Sequence, residues 1–219
     1  MKTFIEKQSF DYEMIALCWH EAGHTIAGLL NYAKITNVCF SNITKPGGPD
    51  GDTYYAMYNG GIVEDQDLAR VLLIFELQIV YAGLIAEKTY YKNICGSDRF
   101  PAHLKSGSRG DIEEGSNIIR RNKIIKSGRQ TFLFKKQIQK DVELLLKEYW
   151  DAVSIIARAL YQKKRLSYSE LKSLLTRKTK DKEFWKSHFK KIDIIHNDKR
   201  PIAEYIVKEM LMEDAIFSI

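Results

Sequence analysis

The chain has 219 residues, 45% of them hydrophobic and 28% charged, with a formal net charge of +6. That is enough to bury a substantial core as one domain or two, and the proportions are ordinary for a soluble globular protein. Cys18, Cys39 and Cys95 are odd in number and form no C-x-x-C pair, which argues against a disulfide framework or a thiolate zinc site and points to reduced thiols in a cytoplasm-like compartment.

In chain order, the first ten residues hold no long apolar run, so no signal peptide is expected. From Asp11, a candidate N-cap, to Asn31, apolar residues recur at helical spacing (Met14, Ile15, Leu17, Cys18, then Ile26, Ala27, Leu29, Leu30). Lys34–Phe40 reads as a strand, Lys45–Asp52 as a loop, and Thr53–Tyr58 as a second, antiparallel strand ended by Asn59-Gly60-Gly61. A long apolar helix follows from about Glu64 to Lys92. Its most apolar run, Val71–Ala86, is short for a membrane span and carries Glu76 and Gln78, so it reads as a buried core helix. Asn93–Arg109 is a long loop, of the kind that is usually functional or mobile. Ser108-Arg109-Gly110-Asp111 matches a capping box and should open a helix through Ile112, Gly115, Ile118 and Ile119.

Two further helices are predicted, Phe134–Lys163 and Ser167–Thr176. After them come a basic region with Phe184, Trp185, Phe189 and Ile192, and a last amphipathic helix from Pro201, at N1, to about Phe217. The charge is uneven along this order. Residues 1–119 hold 10 Lys/Arg against 15 Asp/Glu, residues 120–219 hold 24 against 13, and Arg120–Lys140 has eight basic residues and no acidic one. Such a face attracts nucleic acid, an anionic membrane or an acidic partner. The lysines are spread through helical patterns with few aromatics placed to stack on bases, so solvated helix faces are the plainer reading. The expected fold is mainly α with a small antiparallel β-hairpin or sheet beside the first helix.

The chemistry concentrates in His20-Glu21-Ala22-Gly23-His24. Residues four apart share a helix face, so two imidazoles can meet at one point and supply two of the three protein ligands of a catalytic Zn²⁺ site. Glu21 can then reach a water in the open position as general base. Gly23 leaves backbone uncovered for a close neighbour.

His20-Glu-Ala-Gly-His24, Tyr81-Ala-Gly-Leu-Ile-Ala-Glu87 and Gly107-Ser-Arg-Gly-Asp-Ile112 with Asn117 and Arg120 occur in that order. Together they resemble the peptidase domain of the FtsH-type zinc proteases, with its H-E-A-G-H, G-G-x-x-A-E-E and G-A-S-x-D-[IL] motifs. Trp150–Leu160 and Leu166–Leu171 are similar to that domain's C-terminal helices. The resemblance implies a helical, zincin-like peptidase domain over residues 1–175, with residues 176–219 as a basic helical extension packed on or following it. It implies His20, His24 and Asp111 as Zn²⁺ ligands, Asp111 being held at a helix start, and Glu21 as base. Glu87, at the first Glu of A-E-E, is a candidate to accept the outer N–H of a ligating histidine, or is a structural residue on the polar side of a core helix.

The departures from that family define the expected protein further. Lys88 replaces the second Glu of A-E-E, and no G-x-x-x-x-G-K-[ST] occurs. The expectation is therefore a stand-alone unit without ATPase domain or membrane anchor: an ATP-independent, cytoplasmic zinc metalloendopeptidase acting on peptides or unfolded protein segments. Two alternatives are a non-catalytic zinc-containing interaction module whose basic half binds an acidic partner, and a nucleic-acid binder using Arg120–Lys140. Retention of Glu21 beside the ligands speaks against the first, since a structural zinc site has no use for a base.

Overall fold

The computed structural model describes residues 2–45, 48–56, 66–96, 105–122 and 128–197. Among these residues, seven helices and three strands run in the order α1 (Lys2–Leu30), β1 (Lys34–Lys45), β2 (Gly48–Ala56), α2 (Gln66–Cys95), α3 (Lys105–Asn122), α4 (Gly128–Glu148), α5 (Trp150–Lys163), β3 (Arg165–Ser167), α6 (Tyr168–Lys178) and α7 (Lys182–Asn197). Helix accounts for 83% of the described residues, beside one antiparallel sheet, so the chain is mainly α as its periodicity predicts.

The core forms around α2, whose apolar residues are spread round the helix rather than along one stripe. Leu73, Leu77, Ile79, Val80, Tyr81, Ala82 and Ala86 are all buried, as a helix packed on several sides requires. By length and composition α2 suffices to cross a bilayer, but 67% of its most apolar window is buried within this fold. Helix α1 crosses α2 where small residues face each other. A Cβ built on Gly23 would stand 2.4 Å from the Ala82 carbonyl oxygen and 2.7 Å from Ala86 Cβ, so the close neighbour that Gly23 admits is the α2 backbone. Trp19, next to the first histidine, stacks on Tyr90 of α2 at 5.0 Å and on Trp150 of α5 at 4.9 Å. Offset aromatic pairs of this kind fix orientation as well as bury area.

The sheet has the order β2-β1-β3, all antiparallel. A register shift between Ile35 and Asn37 rephases β1, so that Ile35, Val38 and Phe40 are all buried although the first two are three residues apart; an extra residue in one strand does this. β3 is a strand that its three residues do not announce. Lys164 caps α5 in the left-handed conformation (φ 64°), its carbonyl accepts from the Phe40 N–H at 3.1 Å, and the chain is thereby turned into pairing with β1.

Other boundaries also differ from expectation. α1 begins at Lys2, so Asp11 is not its N-cap. Part of the expected 45–52 loop belongs to β2, because pairing with β1 outweighs local Gly and Pro content. The expected 134–163 helix is two helices, starting at Gly128 and broken at Tyr149, whose ring packs on Phe184 and Trp185. α3 begins at Lys105, so Ser108 and Asp111 form no capping box and Asp111 lies two turns inside the helix. The capping box is instead at Ser167 and Glu170, opening α6. Tyr58, the 97–104 portion of the expected loop and the expected 201–217 helix lie outside the described residues.

α7 is part of this core. Trp185, Phe189 and Ile192 are fully or almost fully buried in the same cluster as Ile26 and Leu29. His188 Nε2 lies 2.7 Å from the Leu29 carbonyl, which also accepts from the Tyr32 N–H at 3.0 Å, and His196 Nε2 lies 2.9 Å from the Tyr32 carbonyl just past the end of α1. Trp185→Ala should therefore lower the unfolding free energy by about 3–5 kcal/mol, read as a lower urea midpoint. An unchanged midpoint would show that α7 is dispensable to the fold.

Candidate metal centre

Three elements bring the site together. His20 and His24 project from one face of α1, and Asp111 reaches them from the second turn of α3. His20 Nε2 and His24 Nε2 are 3.0 Å apart, and Asp111 Oδ2 lies 3.1 Å from the first and 3.5 Å from the second. Ligands about 2.0–2.1 Å from a tetrahedral ion are separated by about 3.3–3.4 Å, so this triangle has the size of one face of such a tetrahedron.

The outer ring nitrogens define the protonation of the inner ones. His20 Nδ1 donates to Glu87 Oε2 at 3.1 Å, and His24 Nδ1 donates to the Ile79 carbonyl at 2.7 Å. A carboxylate and a carbonyl only accept, so in the neutral imidazoles the Nδ1 atoms hold the protons and the Nε2 lone pairs face inward. Asp111 Oδ2 is buried beside them with no hydrogen-bond donor turned to it among the described residues. Three lone pairs thus converge, which is costly unless a cation stands between them. Space for one is kept by Gly83 of α2. A Cβ built there would lie 2.3 Å from His24 Nε2 and 2.6 Å from His20 Nε2. The donor set, the orphaned carboxylate oxygen and the cleared cradle all fit a metal ion. Two nitrogens and one carboxylate suit zinc and accommodate other divalent metals.

The electrostatics agree. Burial disfavours a charged His20, but Asp111 and Glu87 at hydrogen-bond distance outweigh it and lift its pKa to about 10 in the metal-free protein. Burial also opposes ionisation of Asp111, yet the two imidazoles hold its carboxyl well below the usual carboxylate range. The site is built to hold positive charge.

Glu21 lies on α1 between the histidines and is only 3% exposed. Burial pushes its carboxyl above the ordinary carboxylate range, against the opposing pull of His24, His20 and Thr53. A carboxylate with a raised pKa accepts a proton more readily than an ordinary one. Cys18, two residues before His20, is not one of the clustered ligand groups. Burial, with the Glu21 carboxylate, pushes its thiol up to about 12.

All five residues singled out in the sequence therefore lie together, with Glu87 on His20 rather than on the metal position. Asp111 is held by the imidazoles and not, as expected, by the N–H groups of a helix start. Two contributors had no signal in the sequence: the Ile79 carbonyl that orients His24, and Thr53 of β2, whose Oγ1 donates to Glu21 Oε2 at 2.6 Å. Both are backbone or strand positions 32 to 55 residues from their partners. Glu87→Ala should weaken metal binding about 10–100-fold by removing the acceptor that aligns His20, measured by competition with a chromogenic chelator. Unchanged affinity would make Glu87 structural only.

Compared with known proteins, the chain matches no protein-family model and no curated protein.

Proposed function

We propose that this chain is a zinc-dependent metalloendopeptidase that cleaves peptides or unfolded protein segments without ATP. The observation that carries the reading is the convergence of His20 Nε2, His24 Nε2 and Asp111 Oδ2 on one point beside the buried carboxyl of Glu21. A structural site would close with a fourth protein ligand and would gain nothing from an adjacent base. The resemblance of three ordered motifs to the FtsH-type peptidase domain supports the same reading.

His20, His24 and Asp111 would hold the ion, and Glu87 and the Ile79 carbonyl would keep the two imidazoles in their ligating tautomer. When bound, zinc supplies Lewis acidity, lowering the pKa of water and polarising a carbonyl. Glu21 takes the proton of the attacking water on its carboxylate and returns it to the leaving amide nitrogen, so that no free strong base or acid is needed. β2 pairs on one side only, with β1, among the described residues. The other edge of this strand, which carries Thr53 on Glu21, would offer an extended peptide main-chain hydrogen bonds that are independent of sequence. Substrate selection by exposed, unfolded backbone follows from that mode of binding.

Casein cleavage and metal content, measured together, test the proposal. Wild type should bind one zinc per chain and cleave casein in a chelator-sensitive way. Glu21→Gln should keep the metal and lose about 10²–10⁴-fold in kcat, while Asp111→Ala should lose both metal and cleavage. Full cleavage by Glu21→Gln would overturn the mechanism, and a zinc-loaded wild type without cleavage would favour the non-catalytic alternative.

A further inference from the structure

Glu21 is not held by its own helix alone. Thr53 Oγ1 lies 2.6 Å from Glu21 Oε2 and 3.3 Å from the Glu21 main-chain oxygen. The first is a short contact of the kind a hydroxyl makes to an ionised acceptor. Thr53 has little freedom to let go, because β-branching restricts its χ1 and β2 is locked to β1 with Thr53 opposite Val38. Two residues earlier on the same strand face stands Gly51, opposite Phe40. A Cβ there would lie 2.7 Å from Glu21 Oε1, and 2.9 Å from both Glu21 Cγ and Leu17 Cδ1. β2 is thus moulded over the glutamate at alternate residues. One residue tethers Oε2 and the other clears the space beside Oε1.

We propose that β2 positions the catalytic base: Thr53 anchors Glu21 through Oε2 and Gly51 keeps Oε1 free, so that Oε1 is the oxygen that exchanges protons with water and leaving group. This rests on the reading of Glu21 as base. Thr53 and Gly51 are positioning residues and do not touch the reacting atoms. The arrangement also joins two tasks in one strand, since the strand whose edge would pair with substrate carries on its face the residues that orient the base. Thr53 thereby couples the position of β2 to the orientation of the Glu21 carboxyl. The signature of such coupling is a loss in turnover and not in substrate affinity, because the bound peptide is held by the main chain of β2 and the lost contact is internal to the enzyme.

The test uses the full chain as wild type, Thr53→Val and Thr53→Ser. Zinc content and casein cleavage are measured, with thermal unfolding in chelator as a second readout. Thr53→Val should keep one zinc per chain and a KM within about twofold, and lose about tenfold or more in kcat, the scale of a mis-set catalytic group. Thr53→Ser, which restores the hydroxyl, should recover most of the loss. In the metal-free protein, Thr53→Val should lower Tm in the wild-type background and not in a Glu21→Ala background, where its partner is gone. Equal Tm losses in both backgrounds, or a kcat loss that Ser does not rescue, would overturn the proposal. Absence of casein cleavage by zinc-loaded wild type would instead count against the peptidase reading, and the Tm cycle would still decide whether Thr53 holds Glu21.

Discussion

The close crossing of α1 and α2 is the constraint on which the rest depends. Gly23 lets the α1 backbone approach the Ala82 carbonyl, and Gly83 leaves open the space between the two imidazoles. At ordinary helix separation Ile79 and Glu87 would not reach the outer ring nitrogens. The crossing therefore serves packing and chemistry at once. Small residues bring the backbones together, and the proximity turns a helix carbonyl and a core carboxylate into partners for the histidines. Trp19, stacked between Tyr90 and Trp150, fixes the rotation of α1 in this crossing one residue before His20.

Around the crossing, two further elements complete the cluster. α3 supplies Asp111 from an interior turn, and β2 covers Glu21 with Thr53 and Gly51. α5, α6 and α7 contribute no group to this cluster. Their buried faces, with Ile156, Leu160, Leu171, Trp185 and Phe189, complete the core behind α1 and β1. β3 joins the two parts through its pairing with β1. A site in which three acceptor atoms face each other is electrostatically unfavourable unless a metal ion or a proton stands between them, so the surrounding core must supply the rigidity that holds it. The buried positions of His20 and Glu21 put the cost on the fold rather than on solvent.

The basic second half of the sequence is less concentrated in space than along the chain. Arg121 is paired with Glu114 at 2.7 Å, Lys135 donates to Ser116, Lys163 pairs with Glu170 and Lys172 with Asp193. Exposed pairs of this kind contribute little to stability, and the three ion pairs leave out most of the 24 basic side chains of this half.

The sequence by itself determined the helical class and the identity of the candidate ligands. Periodicity over α1 and α2 is strong because each runs for about thirty residues, and the His20–His24 spacing is a property of one helix turn, which needs no tertiary information. The motif order that drew attention to Asp111 and Glu87 was legible too, although the helix start imagined for Asp111 was not. What only the tertiary structure decided were contacts between segments far apart in the chain. The Ile79 carbonyl on His24 spans 55 residues, Thr53 on Glu21 spans 32, and the three residues of β3 acquire their strand character from β1. A backbone carbonyl has no residue type to recognise, a threonine in a strand looks like any other, and three residues are too few for a period. Their roles come from which surfaces pack together, and that is settled by the burial of the whole core.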